Sequence, residues 1–135
     1  MNQDPQILML EDDPDDRFIT EHTIKELDLD IKITFVQNSK DLFDYLEQNP
    51  APTLILMDYN SAPENAIQII GKIKSENSYR SIPLIVLGES TSSKFVSECY
   101  SKGANSFIQK PSTLAGTREK IKSFFNYWLS TAEIY

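Results

Sequence analysis

Five short apolar runs, separated by stretches long enough for a helix, constrain the fold of this chain more than any other feature. The runs span residues 7–10, 31–36, 54–57, 84–87 and 106–109. Strands that alternate strictly with helices form right-handed βαβ units, and such units build a parallel sheet. The sequence therefore predicts an α/β fold with five parallel strands and five helices.

Helix signals occupy the stretches between and after these runs. Asp13 followed by proline is typical of an N-cap and a first helical residue, and it predicts a helix over 14–27. Ser39 is predicted to cap the second helix, and 65–73 and 92–102 are predicted as the third and fourth. The last helix is indicated by apolar residues that recur with helical spacing at Ile121, Phe124, Phe125, Trp128, Leu129 and Ala132.

The composition of the five runs predicts the order of the strands. The runs at 7–10, 54–57 and 84–87 are apolar throughout, as expected of strands buried on both faces. The runs at 31–36 and 106–109 contain polar residues and are assigned to the edges. This is strand order 2-1-3-4-5, the flavodoxin-like doubly wound arrangement. Its ligands bind at the carboxyl ends of the strands, near the switch point between strands one and three.

Carboxylates follow the two strands that meet at this switch point. Glu11, Asp12 and Asp13 follow the first run, Asp58 follows the third, and Lys110 follows the fifth. Like charges held close together repel each other and favour a bound cation. Carboxylate oxygens are ligands that Mg²⁺ accepts together with water and phosphate, and a carboxylate in such a site can act as a nucleophile toward phosphorus. No glycine-rich loop follows the first strand, which argues against a nucleotide phosphate cradle.

Charge and cysteine content exclude other classes of protein. The 135 residues include 13 Lys and Arg against 20 Asp and Glu, a formal net charge of −7, which argues against a partner bound through its phosphate backbone. Cys99 is the single cysteine, so an internal disulfide framework is excluded and a reducing compartment is favoured. No basic-then-apolar leader and no run of about 18 apolar residues is present. We expect a soluble cytoplasmic protein that binds neither nucleic acid nor membrane.

The chain resembles the receiver domains of two-component response regulators over essentially its whole length. The resemblance rests on four motifs in order, at residues 10–14, 54–58, 82–87 and 110–111. It implies a single receiver domain over 1–135 with no output domain, acting as a phosphoacceptor signalling protein and not as an enzyme. It also implies a sensor histidine kinase or phosphotransfer protein as phosphodonor, and a downstream protein partner. Output would use the surface of the fourth helix, fifth strand and fifth helix, with homodimerisation through that face as a further expectation.

The resemblance assigns a role to each residue of the crevice. Asp58 matches the aspartate that receives the phosphoryl group from a phosphohistidine. Asp12, with Glu11 mostly through water, matches the acidic pair that holds Mg²⁺, and Asp58 and the backbone carbonyl of Asn60 complete the protein ligands. Lys110 would pair with Asp58 at rest and with a phosphoryl oxygen after transfer.

Two departures from the family pattern leave alternatives open. Gly88 stands where receivers usually have threonine or serine, and Phe107 stands where the partner aromatic is often tyrosine. The loop after Asp58 also departs from the family pattern, and together with Gly88 it favours, as the alternative function, a pseudo-receiver: a binding module that does not signal by phosphorylation. A free-standing aspartyl phosphatase is disfavoured, because such enzymes commonly carry a second aspartate two positions after the first and this chain has Asn60.

Several polar residues receive a simpler interpretation. Asp15 and Asp16 are interpreted as partners of the helix dipole in the first helical turn. His22, the sole histidine, lies among charged residues and is expected on the surface. Cys99 is expected to be a small core residue.

Overall fold

The computed structural model describes residues 5–26, 30–58, 66–88, 93–109 and 114–128. Strands and helices alternate throughout, as the sequence predicts. They are β1 (Gln6–Leu10), α1 (Pro14–Glu26), β2 (Lys32–Val36), α2 (Ser39–Gln48), β3 (Leu54–Asp58), α3 (Ala66–Ser75), β4 (Leu84–Gly88), α4 (Ser93–Ser101), β5 (Ser106–Gln109) and α5 (Leu114–Asn126).

The five strands form one parallel sheet in the order β2-β1-β3-β4-β5. Strands β1, β3 and β4 are almost completely buried, whereas β2 and β5 at the edges are partly exposed. The predicted flavodoxin-like order is confirmed, and so is its physical basis. Wholly apolar strands occupy the centre because helices cover both of their faces.

Alternate residues of each strand face opposite layers of helices. In β1, Leu8 and Leu10 belong to the core packed with α2, α3 and α4, whereas Ile7 and Met9 belong to the core packed with α1 and α5. Helix residues in these cores include Leu42, Ile70 and Cys99 on the first side and Ile24 and Phe125 on the second. The burial of Cys99 confirms its predicted core position. The layer containing α1 and α5 is the one that carries the candidate site.

The N-cap of α2 is Asn38, not Ser39 as predicted. Asn38 has extended backbone angles, and its side-chain oxygen accepts a 2.8 Å hydrogen bond from the amide of Asp41. Asparagine and serine are both good caps, so the sequence alone does not choose between them. The bonded amide lies three residues after Asn38, which is the spacing of an N-cap. Ser39 is therefore the first helical residue.

Helix α4 is followed by a glycine, whereas α5 was predicted from its apolar pattern alone. Gly103, predicted to stop the fourth helix, has φ of 113°, a left-handed conformation that favours glycine. The α-helical part of α5 ends at Asn126, Tyr127 and Trp128 continue it as a π-helical turn, and the pattern's last positions, Leu129 and Ala132, lie outside the described residues. Among the helices that the structure describes, none is long and apolar enough to cross a membrane.

Candidate functional site

Glu11 and Asp58 lie side by side at the carboxyl end of the sheet. Leu10 is in register with Met57, so the next residue of each chain segment, Glu11 and Asp58, continues that pairing. Both acids are buried, with 1% and 3% of their surface exposed. Side chains alternate between the two faces along each strand, and in this alternation both acids fall on the face covered by α1 and α5. Both carboxylates therefore face the same layer of helices.

Asp16 is the third acid of the site. One carboxylate oxygen from each of Glu11, Asp16 and Asp58 lies within 4.8 Å of the others. Asp16 is partly buried, and it lies four and eight residues before the buried Thr20 and Ile24, on the face of α1 that packs on the sheet. The interpretation of Asp16 as a helix-dipole partner alone was therefore wrong.

Asp12 is exposed and lies outside this group of three acids. β1 ends at Leu10, so Asp12 lies in the turn that leads to α1, and its side chain is exposed there. The spacing of Asp16, Thr20 and Ile24 was the sequence signal that would have found the third acid.

The turn between β1 and α1 is held by polar contacts of its own acids. The amide of Glu11 donates to the carbonyl oxygen of Val36 at 3.0 Å, which extends the β1–β2 ladder by one residue. A carboxylate oxygen of Glu11 accepts from the amide of Asp13 at 3.3 Å. Asp13 in turn accepts from the amide of Asp15 at 2.9 Å, which confirms its predicted role as the cap of α1.

Apolar side chains line the interior side of the acidic group. A narrow cavity between the sheet, α1 and α5 has Glu11 and Asp16 at its edge. Its apolar lining includes Met9, Leu56, Leu87, Ile108, Phe124 and Phe125. Repulsion between carboxylates is strong beside such low-dielectric walls, and the oxygen-only donor set fits a hard divalent cation such as Mg²⁺, Mn²⁺ or Ca²⁺.

The two residues that depart from the family pattern, Gly88 and Phe107, lie on β4 and β5. Gly88 is the buried last residue of β4, one position beyond Leu87, which is in register with Asp58. Phe107 is partly buried and packs against the core on the side of α2, α3 and α4. Its amide donates to the hydroxyl of Tyr100 at 3.0 Å, so α4 supplies a hydroxyl contact to β5. Lys110 and Asn60 lie outside the described residues.

A family model for the response regulator receiver domain matches residues 7–122. The chain belongs to the response regulator receiver family. Receiver domains are signalling proteins that interact with histidine kinases or phosphotransfer proteins, and the acidic group at the carboxyl end of this receiver's sheet is consistent with signalling by phosphorylation. The resemblance stated from the four sequence motifs is therefore confirmed.

Individual relatives cover nearly the whole receiver. The probable methanogenesis regulatory protein FilR2 of Methanothrix harundinacea is 26% identical over 133 residues, which span 94% of this chain and 86% of FilR2. The phosphorylated cyanobacterial phytochrome response regulator RcpA matches with a TM-score of 0.90 and 24% identity, over 98% of this chain and 99% of RcpA. The Mn²⁺-bound form of response regulator Rcp1 matches with a TM-score of 0.90 and 23% identity, over 97% and 99%.

Proposed function

We propose that this receiver accepts a phosphoryl group on Asp58 from a phosphohistidine of a sensor kinase or phosphotransfer protein, in a reaction that requires Mg²⁺. The observation that carries the proposal is the close group of Glu11, Asp16 and Asp58 at the carboxyl end of β1 and β3. A buried carboxylate that lies among other carboxylates is stabilised by a cation, and the same cation favours the approach of a phosphoryl group.

In the proposed step, a carboxylate oxygen of Asp58 forms a bond to phosphorus while the phosphorus–nitrogen bond of the phosphohistidine breaks. The imidazole leaves with the electron pair of that bond and is protonated by solvent. Glu11 and Asp16 would hold the divalent ion, which would neutralise charge on the phosphoryl oxygens. The apolar wall beneath the acids keeps water from the interior side, so the donor approaches from the open end of the sheet.

Mg²⁺ is the proposed ion, because carboxylates plus waters and a phosphoryl oxygen satisfy its preference for octahedral oxygen ligands. The Mn²⁺-bound form of Rcp1 supports a divalent ion in a receiver of this fold. Asp12 and the Asn60 carbonyl, both predicted ligands, remain part of the proposal, and Asp16 is added to it. Lys110 keeps its proposed role as the cationic partner of Asp58 and of the transferred group.

We propose a single-domain, cytoplasmic signalling protein with output through α4, β5 and α5. Three of the four most exposed large apolar side chains of the described residues lie on α4 or directly after α5: Phe95, Tyr100 and Tyr127. Tyr127 also lines a groove with Ser106 and Ile108 of β5. Exposed aromatic side chains of this kind fit a protein partner, and a second copy of the chain is the proposed homodimer partner.

The test uses phosphoramidate as a small phosphodonor, with intact mass as the readout. We expect phosphorylation in Mg²⁺, none in EDTA, and none in Asp58→Asn. Equal labelling of Asp58→Asn and the wild type would overturn the proposal.

The pseudo-receiver is the second candidate, favoured by Gly88 in place of the usual threonine or serine and by the altered sequence of the loop after Asp58. A titration with Mg²⁺ and beryllofluoride, followed by amide spectra, separates the two. Absence of any binding favours the pseudo-receiver, whereas binding that shifts β1 and β3 without α4 indicates a phosphoacceptor with an altered switch.

A further inference from the structure

The carbonyl oxygen of Glu11 is bonded by a side chain instead of a strand. The amide of Glu11 still donates to Val36 of β2, at 3.0 Å, but β2 ends at Val36. In a parallel ladder the carbonyl of the same residue would accept from the following segment of that neighbour strand. Here the Nε of Arg17 donates to the Glu11 carbonyl oxygen at 2.6 Å.

Arg17 is held in this position by its surroundings. Its guanidinium lies 5.3 Å from the centre of the Phe35 ring, within the range of a cation–π contact. Its amide donates to the carbonyl oxygen of Asp13 at 3.1 Å, within the first turn of α1. The contact with Phe35 restricts the guanidinium while Nε bonds to the Glu11 carbonyl oxygen.

Packing alone does not account for an arginine here. The Nη2 atom of Arg17 is buried and has no hydrogen-bond partner among the described residues. A buried donor without an acceptor destabilises the folded state, whereas an apolar side chain of similar size would pack on Phe35 without that cost. The contact that an apolar side chain cannot make is the bond to Glu11.

We propose that Arg17 is a positioning residue for the divalent-ion site, an inference that rests on the proposed function. Glu11 and Asp16, two of the three clustered carboxylates, are carried by different segments. Glu11 directly follows β1, and Asp16 lies in the first turn of α1. The Arg17–Glu11 bond joins those segments one residue away from Asp16. It thereby fixes the separation of the Glu11 and Asp16 carboxylates before an ion binds.

The experiment measures Mn²⁺ affinity by electron paramagnetic resonance in the wild type, Arg17→Met, Arg17→Lys and the control Arg80→Met. Arg80 is exposed and lies between α3 and the amino end of β4, at the end of the sheet away from the acids. Loss of an outer contact that orients a metal ligand typically weakens affinity about 10- to 100-fold, and we expect this for Arg17→Met. Arg17→Lys is expected to bind as weakly, because an ammonium cannot stack on Phe35 and donate from the Nε position together. Arg80→Met should match the wild type.

A second readout separates positioning from general damage. With phosphoramidate, the two Arg17 variants should need more Mg²⁺ for half-maximal labelling, yet reach the wild-type rate at saturating Mg²⁺. Wild-type Mn²⁺ affinity in both folded Arg17 variants would overturn the inference. Wild-type affinity in Arg17→Lys alone would also overturn it, because charge would then be sufficient.

A measurement on the wild type covers the case in which both variants fail to fold. The Nε proton of Arg17 should exchange slowly with solvent, and its resonance should move when Mg²⁺ is added. Fast exchange and no response to saturating Mg²⁺ would contradict the inference. If the wild type itself binds no divalent ion, the proposed function fails, whereas a wild type that binds Mn²⁺ beside unaffected Arg17 variants removes only the role of Arg17.

Discussion

The carboxyl end of the sheet has two halves, one at β1 and β3 and the other at β4 and β5. The two halves differ in chemistry although the same fold builds both. At β1 and β3 the edge carries Glu11 and Asp58, both buried and both within reach of Asp16 on α1. At β4 it carries Gly88, and on β5 Phe107 lies two register positions before Gly88; neither residue has a side-chain hydroxyl. The first half therefore has an acidic group that could bind a metal ion, and at these two positions the second half has no such polar side chain.

Under the proposed function, we expect accepting a phosphoryl group and reporting it to be separable properties of the sheet. The acids are fixed by strand alternation and by the first turn of α1, which are features of the fold itself. In the other half, the hydroxyl that accepts from the amide of Phe107 belongs to Tyr100 of α4. Mutations that affect one half should therefore leave the other intact.

Removal of the acceptor should have the largest effect. We expect Asp58→Asn to lose phosphorylation by phosphoramidate completely, because an amide is not a nucleophile toward phosphorus under these conditions. The matched control is Asp30→Asn, an exposed aspartate next to the amino end of β2, which should be labelled at the wild-type rate. The rate of mass increase in Mg²⁺ checks both.

Neutralisation of Asp16 should weaken ion binding without abolishing it. We expect Asp16→Asn to lower Mn²⁺ affinity roughly tenfold, since removal of one of three carboxylates reduces the charge that attracts the ion. Asp15→Asn is the matched control, because Asp15 is its exposed neighbour and has the same charge. Equal affinities of the two variants would contradict the assignment of Asp16. Asp12→Asn, titrated in parallel, shows whether the predicted ligand Asp12 also contributes.

Loss of the Tyr100 hydroxyl should affect only the β4–β5 half. Tyr100→Phe removes the acceptor of the Phe107 amide, and a hydrogen bond of this kind contributes about 0.5–1.5 kcal/mol to the free energy of unfolding. Urea denaturation measures that loss, and Mn²⁺ affinity should stay at the wild-type value. A change in Mn²⁺ affinity would show that the two halves are coupled.

The smallest effect is expected at the contact between α1 and α5. A hydrogen bond from Arg118 is the main reason that the pKa of Glu26 lies below its ordinary value, with His22 and Lys122 contributing through their charges. A lowered carboxyl pKa stabilises the folded state above the ordinary pKa, and the stabilisation disappears as pH falls through the folded pKa. Glu26→Gln should therefore lower Tm slightly near neutral pH, with the difference closing below about pH 4.

A Tm difference that persists unchanged in acid would contradict that assignment. Glu21→Gln is a control on the same helix, because Glu21 is exposed. Mn²⁺ affinity of Glu26→Gln should match that of the wild type, since Glu26 is the last residue of α1 and the acids lie at its first turn.

Much of the fold could be predicted because it depends on the strands themselves. The apolar runs gave the sheet order, and the same runs placed Glu11 and Asp58 at its carboxyl edge. Asp16 was missed because an acid in the first turn of a helix is already explained by the helix dipole. Its spacing from Thr20 and Ile24 nevertheless indicates the buried face of α1. The cap at Asn38 was missed because adjacent asparagine and serine are both good caps.

The Arg17–Glu11 contact could not be predicted from the sequence. No local pattern shows that the side chain of Arg17 will return to the carbonyl of Glu11, six residues earlier. The contact depends on where β2 stops and on the position of Phe35, and both are properties of the assembled sheet.

The most direct test of the central claim is to locate the phosphoryl group. The wild-type protein is phosphorylated with phosphoramidate in Mg²⁺, the acyl phosphate is reduced with borohydride, and the modified peptide is sequenced by mass spectrometry. We predict reduction at residue 58 alone, and none when EDTA replaces Mg²⁺. Modification at another residue, or equal modification without Mg²⁺, would contradict the account.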